Sequence, residues 1–174
     1  MSSMTIDQIH KMIRDVPDFP KPGILFKDIT PVLADPKAFK SMIHHLAELV
    51  PSGTTRLVSI ESRGFLLGAS LAMEMGIGMV LVRKPGKLPY ATLSHSYDLE
   101  YGKDTLQIHV DALTSGDQAC IVDDVLATGG TARATEILCM ETGANVNGLV
   151  FLMELGFLKG RDKLKAPSRS LITL

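Results

Sequence analysis

The chain has 174 residues, 45% of them hydrophobic and 21% charged, with a formal net charge of −1. That balance suits one folded domain with a sizeable core and excludes a disordered chain, and so even a charge argues against a general nucleic-acid binder. No apolar run approaches the ~20 residues that cross a bilayer, and the N-terminal MSSMTIDQIHKMIRDV lacks a signal-peptide core, so a cytoplasmic protein without a membrane partner is expected.

In chain order, Ile6, Ile9, Met12, Ile13 and Val16 recur at helical spacing and predict a helix over residues 5–16. Pro17, Pro20, Pro22 and Gly23 end it in a stiff extended connection. Asp35-Pro36 reads as a helix start, with Phe39, Met42, Ile43, Leu46 and Leu49 as its apolar stripe. After the turn at 51–55, strand and helix signals alternate. Residues 57–60 read as a strand, 65–75 as a helix and 78–82 as a strand, whereas 83–97 show no clear period and read as irregular. Residues 105–110 alternate like a half-buried strand. Residues 119–122 form a short apolar strand, 131–141 a helix and 148–155 another apolar strand. This rhythm predicts one α/β domain over 1–174, a mostly parallel twisted sheet flanked by helices. Cys120 and Cys139 have no metal-ligand spacing and read as buried reduced thiols. His44, His45, His95 and His109 lack a ligand pattern, and the basic C-terminal segment reads as a solvated surface.

The stretch ACIVDDVLATGGTA carries the chemistry. An apolar strand runs into Asp123 and Asp124, then a small-residue loop, then a helix. In parallel α/β sheets, ligands collect at the carboxyl ends of strands beside helix N-termini. Backbone N–H groups of Ala127, Thr128, Gly129, Gly130 and Thr131 would converge there, helped by the helix dipole. The two glycines let the backbone approach an anion, and the two threonine hydroxyls donate to phosphate oxygens. No lysine follows the glycines, so this is not a Walker loop, and Gly76-Ile-Gly78 has Leu81 where a dinucleotide fingerprint needs its third glycine. Asp123 and Asp124 would accept hydrogen bonds from sugar hydroxyls or meet the waters of a magnesium ion. Phosphate donors beside hydroxyl acceptors describe a ribose 5-phosphate. The plainer alternative is a tight Asp-Asp turn.

VDDVLATGGTA resembles the phosphoribosyl pyrophosphate (PRPP) signature of the type I phosphoribosyltransferases. With PDFPKPGILFKDITPVL, ESRGFLLG, LVRKPGKLP, SYDLEYGKDTLQIH and MELGFLKGRDKL, the chain is similar along most of its length to the adenine-specific branch of that family. The resemblance implies the type I fold: a small hood over about 1–35, a core over about 36–155, and a C-terminal segment, 156–174, contributing to the base site. It also implies a lid from Tyr90 to Tyr101. The implied activity is transfer of the phosphoribosyl group of PRPP to adenine, with Mg2+ held through PRPP rather than by direct protein ligands, and water-mediated contact to Asp123 and Asp124. A homodimer is implied as well.

Other site residues rest more on the resemblance than on residue type. Arg63, after Glu61-Ser62, stands at a helix start and alone reads as a surface residue; the resemblance makes it a pyrophosphate ligand and implies a cis peptide between Glu61 and Ser62. Arg83, Lys84 and Lys87 alone read as a charged turn and by resemblance meet PRPP. Glu100 matches the family's acid/base glutamate and Tyr101 its neighbour. Tyr90 departs from the family, whose relatives commonly have glycine after that proline, and would alter the lid hinge. Phe26 alone reads as core; by resemblance it lies against adenine, with the backbones of Leu25 and Lys27 reading the base edge and Leu158 covering its other face. Two rivals stay open: a PRPP- or nucleotide-binding regulator on the same fold, and an enzyme for another purine base.

Overall fold

The computed structural model describes residues 3–98 and 103–174. These fall into two compact units, 1–45 and 46–174, with the boundary inside a helix.

In the first unit, α1 (Ile6–His10) is shorter than its apolar spacing predicts. Thr5 and Gln8 form a capping box at its start, through Thr5 N–H to Gln8 Oε1 at 2.9 Å and Gln8 N–H to Thr5 Oγ1 at 3.3 Å. The helix stops at Lys11, and Arg14–Pro17 is instead a strand, β1, pairing antiparallel with β2 (Leu25–Asp28). The ladder with β2 takes up Arg14–Pro17, and Pro17 favours extended backbone at Val16 before it. Val16 then faces Phe26 across the ladder instead of completing a helical stripe. A short α2 (Thr30–Ala34) precedes α3 (Pro36–Leu49), which Asp35 caps by accepting from Lys37 and Ala38 N–H at 2.9 and 2.8 Å.

The second unit is built on a five-stranded sheet. Its strands are β3 (Arg56–Ile60), β4 (Gly78–Val82), β7 (Gln118–Leu126), β8 (Asn145–Glu154) and β9 (Ser168–Thr173), all parallel, in the order β4-β3-β7-β8-β9. Helix α4 (Arg63–Met75) links β3 to β4, and α5 (Gly130–Glu141) links β7 to β8. Val58, Ile60, Val82, Ile121, Leu138, Leu149 and Phe151 are buried in one cluster. This is the parallel α/β architecture that the strand–helix rhythm predicts. Among the described residues no helix is long and apolar enough to cross a membrane.

Residues 83–97 are not irregular throughout. β5 (Thr92–Asp98) pairs antiparallel with β6 (Lys103–His109). Polar side chains hide this strand, since its cross-strand pairs are hydrogen bonds such as Ser96 Oγ to Thr105 Oγ1 at 2.9 Å and Gln107 Nε2 to Ser94 Oγ at 2.9 Å. Only Leu93 and Tyr97 lean on the apolar cluster.

Candidate active site

β7 does not end at the carboxylates. Its ladder to β3 stops at Val122, opposite Ser59, but pairing with β8 continues through Asp123, Val125 and Leu126. Asp123 and Asp124 therefore sit in a strand supported on one side and open on the other. The chain leaves β3 toward β4 on one side and β7 toward β8 on the other, so this opening is the switch point where α/β sheets take ligands.

Asp124 is only 5% exposed, and its Oδ2 lies 2.7 Å from Arg63 Nε at the start of α4. Asp123 is half-buried, and its Oδ1 accepts the Asp124 N–H at 2.9 Å. Burial, followed by the neighbouring charge of Asp124, pushes the Asp123 carboxyl well above the usual carboxylate range. Burial raises Asp124 too, with the Arg63 guanidinium working against that rise. Such a pair is expensive to hold, and gains if hydroxyl groups or hydrated cations arrive as partners.

Beyond the strand lies a cleft of about 80 Å3, room for several waters, lined by Asp123, Ala127, Thr128, Gly129 and Thr131 among others. Gly129 takes φ +79°, and no side chain caps α5. The first-turn N–H groups of a helix have no intrahelical acceptors, and a helix start of this kind suits an anion. The loop is locked from behind: a Cβ on Gly129 would stand 2.2 Å from the Gly160 carbonyl oxygen, and one on Gly160 would stand 2.1 Å from that of Ala127. Backbone meets backbone here, and only glycine permits it. The segment bearing Gly160 is pinned by Arg161, whose Nε donates to Glu154 Oε1 at 3.1 Å, whose Nη2 reaches Oε2, and whose Nη1 donates to the Ser168 carbonyl.

Ser62 precedes α4, and the peptide between Glu61 and Ser62 is cis. Glu61 accepts from Arg83 Nε at 2.8 Å and from the Lys84 N–H at 3.0 Å. Burial raises the Glu61 carboxyl, but the Lys84 N–H and the Arg83 guanidinium together hold it below the usual range. Arg83 also donates to the Lys87 carbonyl at 3.1 Å, and its guanidinium carbon lies 5.7 Å from the Phe65 ring centre. Arg83 thus braces the loop after β3. Lys84 pairs with Asp104 at 3.1 Å, and Lys87 is exposed.

Phe26, in the first unit, is half-buried with its ring edge-on to Phe19 at 5.0 Å, while Leu25 is exposed and Lys27 pairs with Asp15 at 2.6 Å. In the second unit Leu158 is half-buried in a one-turn 3-10 helix, Gly156–Leu158. Glu100 and Tyr101 lie outside the described residues. Tyr90 packs edge-on to His109 at 6.1 Å.

Residue type did not single out Gly160, the Glu154–Arg161 pair or Tyr97, whose hydroxyl lies 3.1 Å from Thr131 Oγ1. The one signal was a glycine among cations in LKGRDKL, with nothing to say which backbone it meets.

The model of the phosphoribosyl transferase domain family matches residues 30–156. The adenine phosphoribosyltransferase of Streptomyces coelicolor (strain ATCC BAA-471 / A3(2) / M145) is 54% identical over 168 residues, covering 93% of this chain and 92% of that protein. Among solved structures, the adenine phosphoribosyltransferase of Thermoanaerobacter pseudethanolicus ATCC 33223 superposes with a TM-score of 0.96 at 52% identity, over 98% of this chain and 100% of that one. The Saccharomyces cerevisiae enzyme, solved with D-2,5-dideoxy-2,5-imino-altritol 1,6-bisphosphate and adenine, superposes with a TM-score of 0.91 at 42% identity, over 95% and 97% of the two chains. A domain model spanning most of the sequence, and relatives above half identity across nearly all of both chains, make this chain a member of the adenine phosphoribosyltransferase family.

Proposed function

We propose that this chain transfers the 5-phosphoribosyl group of PRPP to adenine, giving AMP and pyrophosphate, and so serves purine salvage. The observation that carries the reading is the cleft at the start of α5 beside the half-buried Asp123 and the buried Asp124, at the switch point of the parallel sheet. It offers donors for a 5-phosphate next to acceptors for ribose hydroxyls.

The bond from the sugar C1 to the pyrophosphate oxygen breaks as a ring nitrogen of the base bonds to C1, through an oxocarbenium-like transition state. The chain's own work is positioning and charge stabilisation. The backbone of residues 127–131 fixes the 5-phosphate, with Thr128 and Thr131 donating. Asp123 and Asp124 accept from the ribose hydroxyls, Arg63 and Lys87 meet the leaving pyrophosphate, and Arg83 and Lys84 shape the turn that presents Lys87. Glu100 takes the proton released by the base, with Tyr101 beside it. Phe26 supplies an aromatic face for the base, the backbones of Leu25 and Lys27 read its edge, and Leu158 supplies an apolar face.

The donor set fits magnesium brought by the substrate. Asp123 lines the cleft and suits the waters of a hydrated ion. Mg2+ would stabilise the negative charge that develops on pyrophosphate.

The proposal extends to a cytoplasmic homodimer. Leu66 and Met73, seven residues apart on α4 and 47% and 84% exposed, support a covered face there.

A steady-state assay with PRPP, magnesium and each nucleobase in turn tests the reading. Adenine should give AMP, and guanine, hypoxanthine and xanthine should turn over at least about a hundredfold more slowly, because they leave polar groups of the site unpaired. Equal turnover of guanine would overturn the adenine assignment, and loss of no activity in Glu100→Gln would remove the acid/base role.

A further inference from the structure

We infer that Tyr97 is a positioning residue for the 5-phosphate, acting through Thr131; this rests on the reading of the α5 cleft as the PRPP phosphate site. Tyr97 lies near the end of β5, the strand that packs against α5, and its hydroxyl oxygen is 3.1 Å from Thr131 Oγ1. Thr131 in turn lines the cleft.

Proton counting sets the direction of that bond. A threonine hydroxyl has one proton to give and two lone pairs to receive with, whereas a phosphate offers only acceptors to it. If Thr131 donated to Tyr97, it would turn a lone pair toward the anion and repel it. If Tyr97 donates to Thr131, the Thr131 proton is left for phosphate, and the resulting chain of two hydrogen bonds strengthens itself. Tyr97 can donate, since a tyrosine hydroxyl carries its proton at neutral pH and burial, more than any other influence, moves this one further in that direction. Thr131 is also fixed from behind, since its carbonyl accepts from Thr135 Oγ1 at 2.9 Å.

The contact has a second consequence. Tyr97 belongs to the hairpin that β5 forms with β6. A phosphate that draws the Thr131 proton also strengthens the Tyr97 bond, so occupancy of the cleft favours the docked position of this strand.

Calorimetric titration with ribose 5-phosphate tests this in wild type, Tyr97→Phe, Thr131→Val and the double variant. Phenylalanine keeps the ring packing and removes only the hydroxyl. Tyr97→Phe should weaken ribose 5-phosphate binding about three- to tenfold. Thr131→Val should weaken it at least as much, and adding Tyr97→Phe to Thr131→Val should cost nothing further. Thr131→Ser, which keeps the hydroxyl, should restore the sensitivity to Tyr97→Phe. The same loss from Tyr97→Phe in the wild-type and Thr131→Val backgrounds, or no loss in wild type, would overturn the positioning role while leaving the cleft assignment intact. Unchanged binding in Thr131→Val would instead remove Thr131 from the phosphate site, and the Tyr97 role with it.

Discussion

Replacing Gly160 by alanine probes the most confined point of the site. The new methyl would stand 2.1 Å from the Ala127 carbonyl oxygen and 2.9 Å from Gly129 N, where ordinary contact begins at 3.4 Å. The atoms it meets are backbone, so no side chain swings away. Either the segment carrying Gly160 or the loop over residues 127–129 must retreat by more than an ångström. The Glu154–Arg161 clasp holds the first, so part of the movement passes into the loop proposed to hold the 5-phosphate. Overpacking of this kind costs about 1–3 kcal/mol, or roughly 2–4 °C in Tm per kcal/mol for a chain of this size. The larger effect should be kinetic. A reacting group misplaced by about 1 Å loses on the order of a hundredfold, so kcat/KM for PRPP should fall between tenfold and a hundredfold, measured at saturating adenine. The variant must be compared at a temperature well below its own Tm. A Gly160→Ala protein with wild-type kcat/KM for PRPP would refute the claim that this contact sets the loop.

Asp123→Asn should trade function for stability. Its folded-state carboxyl titrates above the ordinary range, so the folded state binds this proton more tightly than the unfolded state does. That preference helps folding in acid and is lost as pH rises through the raised pKa, leaving the charge as a cost at neutral pH. The variant should melt higher at pH 7, lose that advantage as the pH drops into the ordinary carboxylate range, and bind PRPP about ten- to a hundredfold more weakly, as loss of a charged acceptor implies. A lower Tm at pH 7 would contradict this.

Arg161→Met should cost about 1–3 kcal/mol, because Glu154 is left buried with fewer donors. The hydrogen bond to Arg161 holds the Glu154 carboxyl below its usual range. Its contribution is present above that range and fades as pH falls through the depressed value, so wild type and variant should converge in acid; a constant gap would say that the pair is packing alone. Burial pushes the thiols of Cys120 and Cys139 up to about 12. Neither should react with a disulfide reagent at pH 8 until the protein is unfolded, and rapid native-state labelling would place a thiol at the surface.

Much of the α/β frame was legible because its strands are apolar runs bounded by turns, and residues 78–82 match their predicted strand to the residue. Four local readings failed for separable reasons. The basic C-terminal segment, read as a solvated surface, instead supplies β9 at the edge of the sheet with Ile172 buried, because its scattered charges mask a strand that pairs with β8. The N-terminal helix broke because apolar spacing says nothing of the ladder that β1 forms with β2. β5 was missed because its cross-strand partners are hydroxyls and amides rather than apolar groups. β7 was cut short because a carboxylate usually marks a strand end, whereas here β8 carries the strand past both aspartates. In the candidate site, the small-residue loop before a helix was legible, and the structure brings Asp123, Thr128, Gly129 and Thr131 to one cleft. Its backing was not: the reciprocal approach of Gly129 and Gly160 joins residues that share no pattern in the sequence. Arg83 shows the same limit from the other side, for an arginine in a charged turn does not announce the half-buried Glu61 that it pairs with.

The central claim, that the opening beside β7 receives the ribose 5-phosphate half of PRPP, is tested most directly by a crystal structure with AMP bound. The 5-phosphate should lie within hydrogen-bond reach of the N–H groups of residues 128–131, with the ribose hydroxyls on Asp123 and Asp124. A phosphate held by Lys84 and Lys87 instead, with the α5 cleft free of it, would contradict the account.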